Sequence, residues 1–291
     1  MTQRQLALLA VAVLVWGSTW YAIKFQLGVV DPFVSVGWRF LAAALLTLAV
    51  CKLGGVDLSL TPSQHVWSMA LGLALFGINY CLFYFATAYL TTGLIAVIFS
   101  SMVIWNAIGA RIFFNTPVPL RVVIGAIVGF CGMSLMFMPD IFNLRYGPQE
   151  IGAILICVLA TLCASLGNLI NARNQKGGIS LWAGNAWGML YGSIATLLMA
   201  RALGAELQFD FSLPYLASFV YLTVFGSIVA FAAYLSLVNS AGPERAAFAT
   251  LLFPVVALAI STVFEDYRWS VEAILGVALV LGGNRIALRQ G

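Results

Sequence analysis

Apolar and polar residues alternate along this chain in long blocks. Ten apolar segments of roughly 20 residues, the length of helix that crosses the hydrocarbon core of a bilayer, are separated by short polar connections. Turn-forming pairs such as Asp31-Pro32 and Gly54-Gly55 occupy those connections. The pattern predicts an all-α integral membrane protein with ten transmembrane helices, over residues 5–25, 33–53, 66–89, 92–114, 119–138, 149–171, 181–203, 213–238, 243–264 and 270–288.

The acidic residues avoid these segments. All ten Asp and Glu residues lie in the connections or at the segment edges. Acids inside a membrane usually mark proton relays or cation sites. We therefore expect a protein whose activity does not depend on a buried carboxylate.

The basic residues predict an orientation. If the N-terminus lies in the cytoplasm, nine of the 14 Lys and Arg residues fall on the cytoplasmic side and five outside. Cytoplasmic connections are enriched in Lys and Arg, and the acids here show the opposite bias, eight outside against two inside. The sequence therefore predicts a multi-pass inner-membrane protein with both termini in the cytoplasm.

Composition supports a membrane protein. Of the 291 residues, 62% are hydrophobic and 8% are charged, with a mean hydropathy of +1.01. A soluble domain carries about 25% charged residues, so lipid must be the solvent here. The connections are too short for a soluble domain, an ATP-driven motor or a nucleic-acid-binding module. We expect the lipid bilayer and a small-molecule substrate as partners, with no nucleic acid and no obligatory protein partner.

Catalytic and cofactor motifs are missing from the sequence. The five cysteines form no C-x-x-C pair, and His65 stands in a connection with no second ligand near it. No H-E-x-x-H motif occurs. We expect no metal, no cofactor and no catalytic residue, and hence no enzyme.

The two halves of the chain resemble each other at an offset of about 150 residues, weakly by identity. Phe114-Asn115 corresponds to Phe264-Glu265, and the stretch from Gly125 corresponds to a glycine-bounded stretch in the last segment. Five helices per half is an odd number, so the halves must cross the membrane in opposite directions. Inverted repeats of this kind are typical of secondary transporters. We predict a first repeat over residues 1–143 and a second over residues 144–291.

Aromatic and neutral polar residues lie near the span centres. Trp and Tyr normally collect at membrane interfaces, and a polar group in hydrocarbon needs a hydrogen-bond partner. Pairs spaced four residues apart share a helix face. A central cavity would provide partners, as would interhelical packing with Asn and Ser. The candidate substrate-binding residues are Trp16, Ser18, Trp20, Asn79, Tyr80, Tyr84, Ser101, Trp105, Asn168 and Trp187.

Such a lining favours a neutral or zwitterionic solute with an apolar or aromatic body. A bare organic cation would prefer a carboxylate, which the spans lack. A polyanion would prefer Lys or Arg at depth. Lys24, Arg39 and Arg111 lie near the span ends, too near to be assigned to a binding site from the sequence.

Several short motifs resemble those of the drug/metabolite transporter superfamily, EamA type. They are Trp16-Gly-Ser-Thr-Trp20, Pro32-Phe33 with Arg39-Phe40, Asn79-Tyr80-x-x-x-Tyr84, and Leu252-Phe253-Pro254 leading to Phe264-Glu265. The resemblance covers the whole chain. It implies an inner-membrane carrier built from two inverted five-helix repeats. The first four helices of each half would surround a central cavity, with the fifth helices at the periphery.

The resemblance and the aromatic lining together predict an exporter of aromatic or other bulky neutral amino acids that works by alternating access. The alternative is a broad-specificity drug or metabolite efflux carrier. A cation/proton antiporter is disfavoured because no acid lies inside a span. Proton antiport and facilitated diffusion both stay open as energy sources.

Overall fold

The computed structural model describes residues 1–115, 117–142, 147–241 and 248–288. Within these ranges the chain forms ten successive helical segments and no strand. They are α1 (Gln3–Ile23, continued by the 3-10 turn Lys24–Gln26), α2 (Pro32–Leu53), α3 (Pro62–Thr87), α4 (Thr92–Phe114), α5 (Leu120–Phe142), α6 (Pro148–Lys176), α7 (Leu181–Ala202), α8 (Leu213–Val220, Tyr221–Val229 and Ala230–Ala241 in succession), α9 (Phe248–Phe264) and α10 (Val271–Leu288).

Six of these segments are long enough and apolar enough to cross a membrane, judged over the described residues. They are α1, α2, α3, α4, α6 and the Leu213–Tyr234 part of α8. Two shorter apolar stretches, Leu120–Met136 and Leu252–Phe264, lie in α5 and α9. Each of the ten predicted spans overlaps one helix. Residues 243–247 of the ninth span, and the predicted boundary between the halves at 143 and 144, lie outside the described residues.

Local sequence explains where the helices begin. Thr2 accepts a hydrogen bond from the Gln5 backbone N–H, and the Gln5 side chain accepts one from the Thr2 N–H, a capping box. The same exchange joins Thr61 and Gln64 at the start of α3. Asp31 accepts from a backbone N–H in the first turn of α2. These side chains satisfy N–H groups that a helix start leaves free.

Helix α6 extends beyond its predicted end. The sequence predicts a span ending at residue 171, but α6 continues to Lys176 because its polar last turns find partners. The Arg173 guanidinium lies 3.6 Å from the Trp67 ring centroid, and the Lys176 amine lies 4.5 Å from that of Phe114. The helix ends where Gly178 adopts a φ of 83°, which favours glycine.

Hydrogen bonds gather the connections at two ends of the bundle. At the first, which we call the Lys24 end, the Gln208 side chain donates to the Val29 carbonyl oxygen and Lys24 pairs with Glu265. At the second, the Gln5 end, Gln5 donates to the Ser240 carbonyl oxygen and other bonds join α3 to the α6–α7 connection. The connections after α1, α3, α7 and α9 thus lie at the Lys24 end.

The helices pack in related pairs. The most extensive contacts join α5 with α10 and α2 with α7. Helix α1 packs against α8 and α9, while α6 packs against α3 and α4. A main hydrophobic core draws on α1, α2, α3, α4, α6 and α9. A smaller cluster around Val34 and Tyr215 fills the Lys24 end.

Two segments are π-helical, Gly72–Ile78 within α3 and Tyr221–Val229 within α8. A π turn widens the helix, leaves backbone groups with altered partners, and occurs frequently at functional sites. The α3 segment includes Gly72, whose backbone packs directly against that of Gly188 and Gly192 in α7. Small residues permit such close helix contacts in membranes.

Glycines also bring α5 and α10 together. Gly125 packs against the Gly283 carbonyl oxygen and Gly283 against that of Gly125, while Gly132 and Gly276 make the same reciprocal contact. An added Cβ at any of the four would meet backbone atoms. This interface therefore requires glycine for its close approach.

Adjacent glycines in α10 test that requirement. Gly283→Ala should destabilise the protein by about 1–3 kcal/mol, because the new methyl group meets the α5 backbone, which cannot rotate away. Gly282→Ala is the matched control, since nothing lies within 4 Å of its Cβ position; it should be neutral or slightly stabilising. Thermal unfolding of the purified variants in detergent measures both, and equal unfolding temperatures would contradict the packing.

Candidate functional site

An enclosed cavity of about 210 Å³ lies among seven helices, α1, α2, α3, α4, α6, α8 and α9. An apolar cavity of about 150 Å³ can hold benzene, so this one admits a ring with several further atoms. Its lining is Trp16, Thr19, Trp20, Ile23, Arg39, Leu75, Phe76, Asn79, Tyr80, Phe83, Phe99, Met102, Asn168, Asn171, Phe231, Tyr234, Thr250 and Phe253.

Aromatic rings make up half of the lining residues. Trp20 meets Phe83 and Phe99 at centroid distances of 5.0 and 5.3 Å. Trp16 meets Phe231 edge-on at 5.4 Å and Tyr234 at 5.2 Å. Rings at these separations and angles stabilise one another. The wall is therefore a fixed surface suited to an aromatic or bulky apolar group.

The π-helical segment of α8 positions Trp16. Its indole Nε1 donates to the Gly226 carbonyl oxygen at 3.3 Å. Gly226 has no side chain to intervene, and Thr19 of α1 packs against the same glycine. The Thr19 hydroxyl in turn donates to the Trp16 carbonyl oxygen at 2.8 Å. The indole thus satisfies its N–H inside the bundle while its ring faces the cavity.

Amide groups supply the neutral polarity of the lining. Asn79 is 2% exposed, and its Oδ1 has no hydrogen-bond partner within the described residues. The Asn171 Oδ1 is likewise without one. Asn168 directs its Nδ2 at the Met102 sulfur, 3.2 Å away, a weak acceptor. These amides retain hydrogen-bonding capacity that a solute or water would use.

Arg39 corrects the expectation of a wholly neutral lining. Helix α2 begins at Pro32, so Arg39 lies about two turns inside it, and its side chain reaches the cavity wall with 2% exposure. The guanidinium lies 4.9 Å from the ring centroids of Phe40 and Tyr80, and its Nη1 donates to the Tyr84 hydroxyl at 3.4 Å. The position of Arg39 predicted from the sequence was therefore too close to the end of α2.

Five of the ten predicted site residues lie around this cavity: Trp16, Trp20, Asn79, Tyr80 and Asn168. Tyr84 lies one turn beyond Tyr80, fully buried beneath an open groove at the Lys24 end. Ser18 points to α8, where its hydroxyl lies 2.6 Å from that of Tyr221. Substrate contact by any of these residues stays a prediction.

The other three predicted residues lie away from the cavity. Ser101 donates to the Ile98 carbonyl oxygen at the turn that divides α4. Trp105 packs edge-on against Phe130 of α5, with 5.9 Å between centroids. Trp187 donates to the Leu58 carbonyl oxygen at the Gln5 end.

His65 differs from the sequence expectation. It lies in the first turns of α3 rather than in a connection. Its Nδ1 is 2.7 Å from the Tyr191 hydroxyl oxygen, and its ring packs edge-on against Trp187 at 5.0 Å. A second polar group therefore accompanies it, and both belong to the packing of α3 against α7. Helix α7 contributes no lining residue, because it lies behind α3 at the close glycine contact.

A cluster of charged and hydroxyl groups closes the Lys24 end. The Glu265 carboxylate lies 2.6 Å from the Lys24 amine and accepts hydrogen bonds from the Thr92 hydroxyl at 2.6 Å and from Ser261. The Glu265 side chain is 1% exposed. Its position just after α9 agrees with the prediction that no acid lies inside a span, but nothing in the sequence indicated that this carboxylate would be buried at the segment edge.

The partners of Glu265 set its protonation. Burial by itself raises the pKa of this carboxyl, but the hydrogen bonds from Lys24, Ser261 and Thr92 and the charge on Lys24 outweigh it. The net pKa lies below the usual glutamate value. Glu265 is therefore ionised at neutral pH and holds three helices together.

The cavity extends along the bundle from the Lys24 cluster toward the Gln5 end. Asn168, Asn171 and Thr250 belong to the parts of α6 and α9 close to that end. On the opposite side, Ile23 is the last lining residue of α1 and directly precedes Lys24. The cluster of Lys24, Glu265, Thr92 and Ser261, which we call the Lys24 cluster, therefore separates the cavity from the Lys24 end.

Some missed lining residues had a helical signal. Asn171 follows Asn168 by one turn, and Ile23 follows Trp16 and Thr19 at helical spacing. Arg39 had no such signal, because no other candidate residue on α2 marked the face it occupies. The acids at the segment edges likewise gave no indication that Glu265 meets Lys24, since the two are distant in sequence.

Polar cavities between apolar helices, closed from one end by an ion pair, are typical of proteins that move solutes across membranes. The sequence profile of the EamA-like transporter family matches residues 3–138 and, separately, residues 151–289. The chain belongs to this family. It is a membrane transporter with several spans and not an enzyme, and the motif resemblance is confirmed at family level.

The chain is similar to several bacterial proteins over most of its length. Protein PagO of Salmonella typhimurium (strain LT2) is 22% identical, covering 92% of this chain and 88% of PagO. The Uncharacterized inner membrane transporter YedA of Escherichia coli (strain K12) is 28% identical, covering 92% of this chain and 87% of YedA. One protein of known crystal structure has a similar fold, with a TM-score of 0.67 at 17% identity over 99% of this chain and 98% of the other.

Replacing Glu265 tests the closing cluster. Glu265→Gln removes the charge and should lower the free energy of unfolding by about 1–3 kcal/mol at neutral pH, less than for a fully buried pair because Lys24 is partly hydrated. A depressed folded pKa gives stability that is present above the unfolded pKa and is lost as pH falls through the folded pKa. The deficit of Glu265→Gln relative to wild type should therefore shrink in acid.

Denaturant unfolding in detergent from neutral to acid pH measures this. Asp266→Asn is the control, because Asp266 is the next residue and is exposed, and Asn tolerates its φ of 53°. The control should follow the wild-type pH dependence. A Glu265→Gln deficit that stays constant across the acid range would contradict the account.

Proposed function

We propose that the protein is a secondary transporter that exports aromatic or other bulky neutral amino acids from the cytoplasm. The observation that carries the proposal is the cavity itself, walled by Trp16, Trp20 and Tyr80 and furnished with unpaired amide oxygens. Rings would stack on the apolar body of the cargo, while amides would bind its head group. Its volume of about 210 Å³ admits the ring of such a molecule with several further atoms.

The proposed architecture is ten transmembrane helices in two inverted five-helix repeats. Three observations support it. The family profile matches each half separately, and the two π-helical segments lie about 150 residues apart. The contact pattern is the third, since α5–α10 and α2–α7 each pair equivalent helices, and α1–α9 corresponds to α6–α4. The reciprocal glycine contacts of α5 and α10 agree with such a two-fold relation.

The position of the cavity supports alternating access. The Lys24 cluster closes one end, and the lining extends toward the other. The excess of basic residues supports a cytoplasmic location for the Gln5 end, and the name of the relative YedA agrees with an inner-membrane location. In this proposal the cargo enters from the Gln5 end, and rocking of the two halves then opens the Lys24 end.

A broad-specificity efflux carrier is the second candidate. It is favoured because the cavity lining is mainly apolar. An apolar wall imposes few directional contacts on its cargo. The two candidates differ in what they exclude. An amino-acid exporter rejects aromatic solutes without an amino-acid head group, whereas a broad-specificity carrier accepts them.

Transport by purified protein in liposomes tests the assignment. Wild type should move labelled phenylalanine or tryptophan, with or without a pH gradient across the membrane. Trp16→Ala and Tyr80→Ala should each reduce the rate about tenfold or more, because each loses part of the ring wall, where one ring contact contributes about 0.5–1.5 kcal/mol beyond its buried area.

Trp105→Ala and Trp187→Ala are matched controls. Each removes the same ring from a predicted transmembrane helix, but neither residue belongs to the cavity lining. They should transport at near the wild-type rate per folded molecule. Equal losses in all four variants would contradict a role specific to the cavity. Flux of organic cations alone would contradict the amino-acid assignment.

Locking the Lys24 end tests alternating access. A double variant, Lys24→Cys with Glu265→Cys, joined by a short bifunctional thiol reagent, should lose transport because that end cannot open. Reduction of a cleavable reagent should restore it. Each single variant treated in the same way is the control. Undiminished transport by the crosslinked protein would show that the cargo does not pass this end.

A further inference from the structure

Arg39 is a buried cation without an acidic partner among the described residues. Its side chain lies on the cavity wall with 2% exposure, and the ion pair found in the described part of the chain joins Lys24 and Glu265 instead. The Arg39 Nε has no hydrogen-bond partner there. A charge inside a membrane is costly and is usually paired. The free-energy balance therefore favours an anion next to Arg39.

None of the acids near this region forms an ion pair with Arg39 in the described part of the chain, and two of them are engaged elsewhere. Glu265 is held by Lys24, Thr92 and Ser261. Asp31 accepts from the Phe33 backbone N–H at 2.8 Å as the cap of α2. Neither has an ion pair with Arg39. The aromatic rings of Phe40 and Tyr80 and the Tyr84 hydroxyl contact the guanidinium, but they carry no full negative charge.

We propose that Arg39 binds the carboxylate of the cargo. This deepens the proposed function and rests on it, and it makes a carboxylate part of what the transporter recognises. Guanidinium presents a planar set of donors that matches a carboxylate, and such charge-assisted bonds are stronger than neutral ones. The residue pattern predicts a neutral lining and does not assign this role to Arg39.

The neighbouring groups fit the rest of an amino-acid head group. Asn79, on α3 one residue before Tyr80, presents a buried Oδ1 without a partner in the described structure. An amide oxygen accepts from an ammonium group but not from a carboxylate. Arg39 and Asn79 thus offer opposite hydrogen-bonding character on one wall, while Trp20 and Phe83 provide the apolar surface beside them.

Arg39 also lies at the boundary between two spaces. Its partner Tyr84 lines the open groove at the Lys24 end, whereas Arg39 lines the cavity. A carboxylate bound at Arg39 is therefore placed on the side of the cavity nearest that groove.

Four related compounds that differ in their carboxylate and amino groups test which charge the protein recognises. Calorimetric titration of the protein in lipid nanodiscs would use L-phenylalanine, 3-phenylpropionate, L-phenylalaninamide and 2-phenylethylamine. The two acids should bind at least tenfold more tightly than the compounds that lack the carboxylate. Equal affinity for L-phenylalanine and L-phenylalaninamide would overturn the proposal, and this comparison needs no variant.

Variants then assign the effect to Arg39. Arg39→Gln should abolish the preference for a carboxylate while still binding the ring, and Arg39→Lys should retain part of it, because Lys keeps the charge without the planar donors. Arg201→Gln is the control, since Arg201 is an exposed arginine at the end of α7. A carboxylate preference that survives in folded Arg39→Gln would overturn the proposal. If Arg39→Gln fails to fold, Arg39→Lys decides: a reduced carboxylate preference supports the proposal, and an undiminished preference overturns it.

Failure of this inference differs from failure of the proposed function. If the wild type transports phenylalanine but not 2-phenylethylamine, and Arg39→Gln keeps that selectivity, another group recognises the carboxylate; this inference then fails and the exporter assignment stands. If 3-phenylpropionate binds through Arg39 but no amino acid is transported, the carboxylate site stands and the amino-acid assignment fails.

Discussion

Hydrocarbon supplies no hydrogen-bond partners, so each polar group on these helices must find one within the bundle. Many hydroxyls donate to a carbonyl oxygen about one turn back in their own helix, as Thr47 does to Ala43, and other groups find partners across helix contacts. Gln26 donates to Ser218 and to a backbone oxygen of α8, and Trp16 donates to the Gly226 carbonyl oxygen. The prominent exceptions on the cavity wall are Arg39 and Asn79, which keep unpaired atoms despite their burial. The cavity is thus one of the places in the described structure where buried polar atoms lack protein partners, and it has room for a solute to supply them.

Closure of the Lys24 end depends on the same constraint. An isolated carboxylate at this depth would be expensive, but Glu265 gathers an ammonium group and two hydroxyls from three helices. The cluster therefore stabilises one arrangement of α1, α4 and α9. Opening this end would require water to replace those partners, and the cost of doing so would form the energy barrier between the two proposed access states.

Hydropathy predicted the helices well because length and apolar content alone decide which segments suit a bilayer. The fourth segment, predicted at 92–114, is helical from Thr92 to Phe114. Rotation about the helix axis was harder to predict. Trp16 and Trp105 both lie near span centres, yet one faces the cavity and the other faces Phe130. Which side of a helix meets which neighbour depends on tertiary packing, which one sequence does not reveal. For the same reason the depth of Arg39 and the pairing of Glu265 with Lys24 escaped the sequence pattern.

The central claim is that one cavity is reached from alternate ends as the two halves rock. Pulsed electron resonance distances between spin labels test it most directly, with one label on each half at either end. Exposed pairs suited to this are Val29 with Val271 at the Lys24 end and Leu53 with Gln175 at the Gln5 end. Added L-phenylalanine should populate a form in which the first distance is longer and the second shorter. Distances that stay fixed at both ends, or that change in the same direction, would contradict the account.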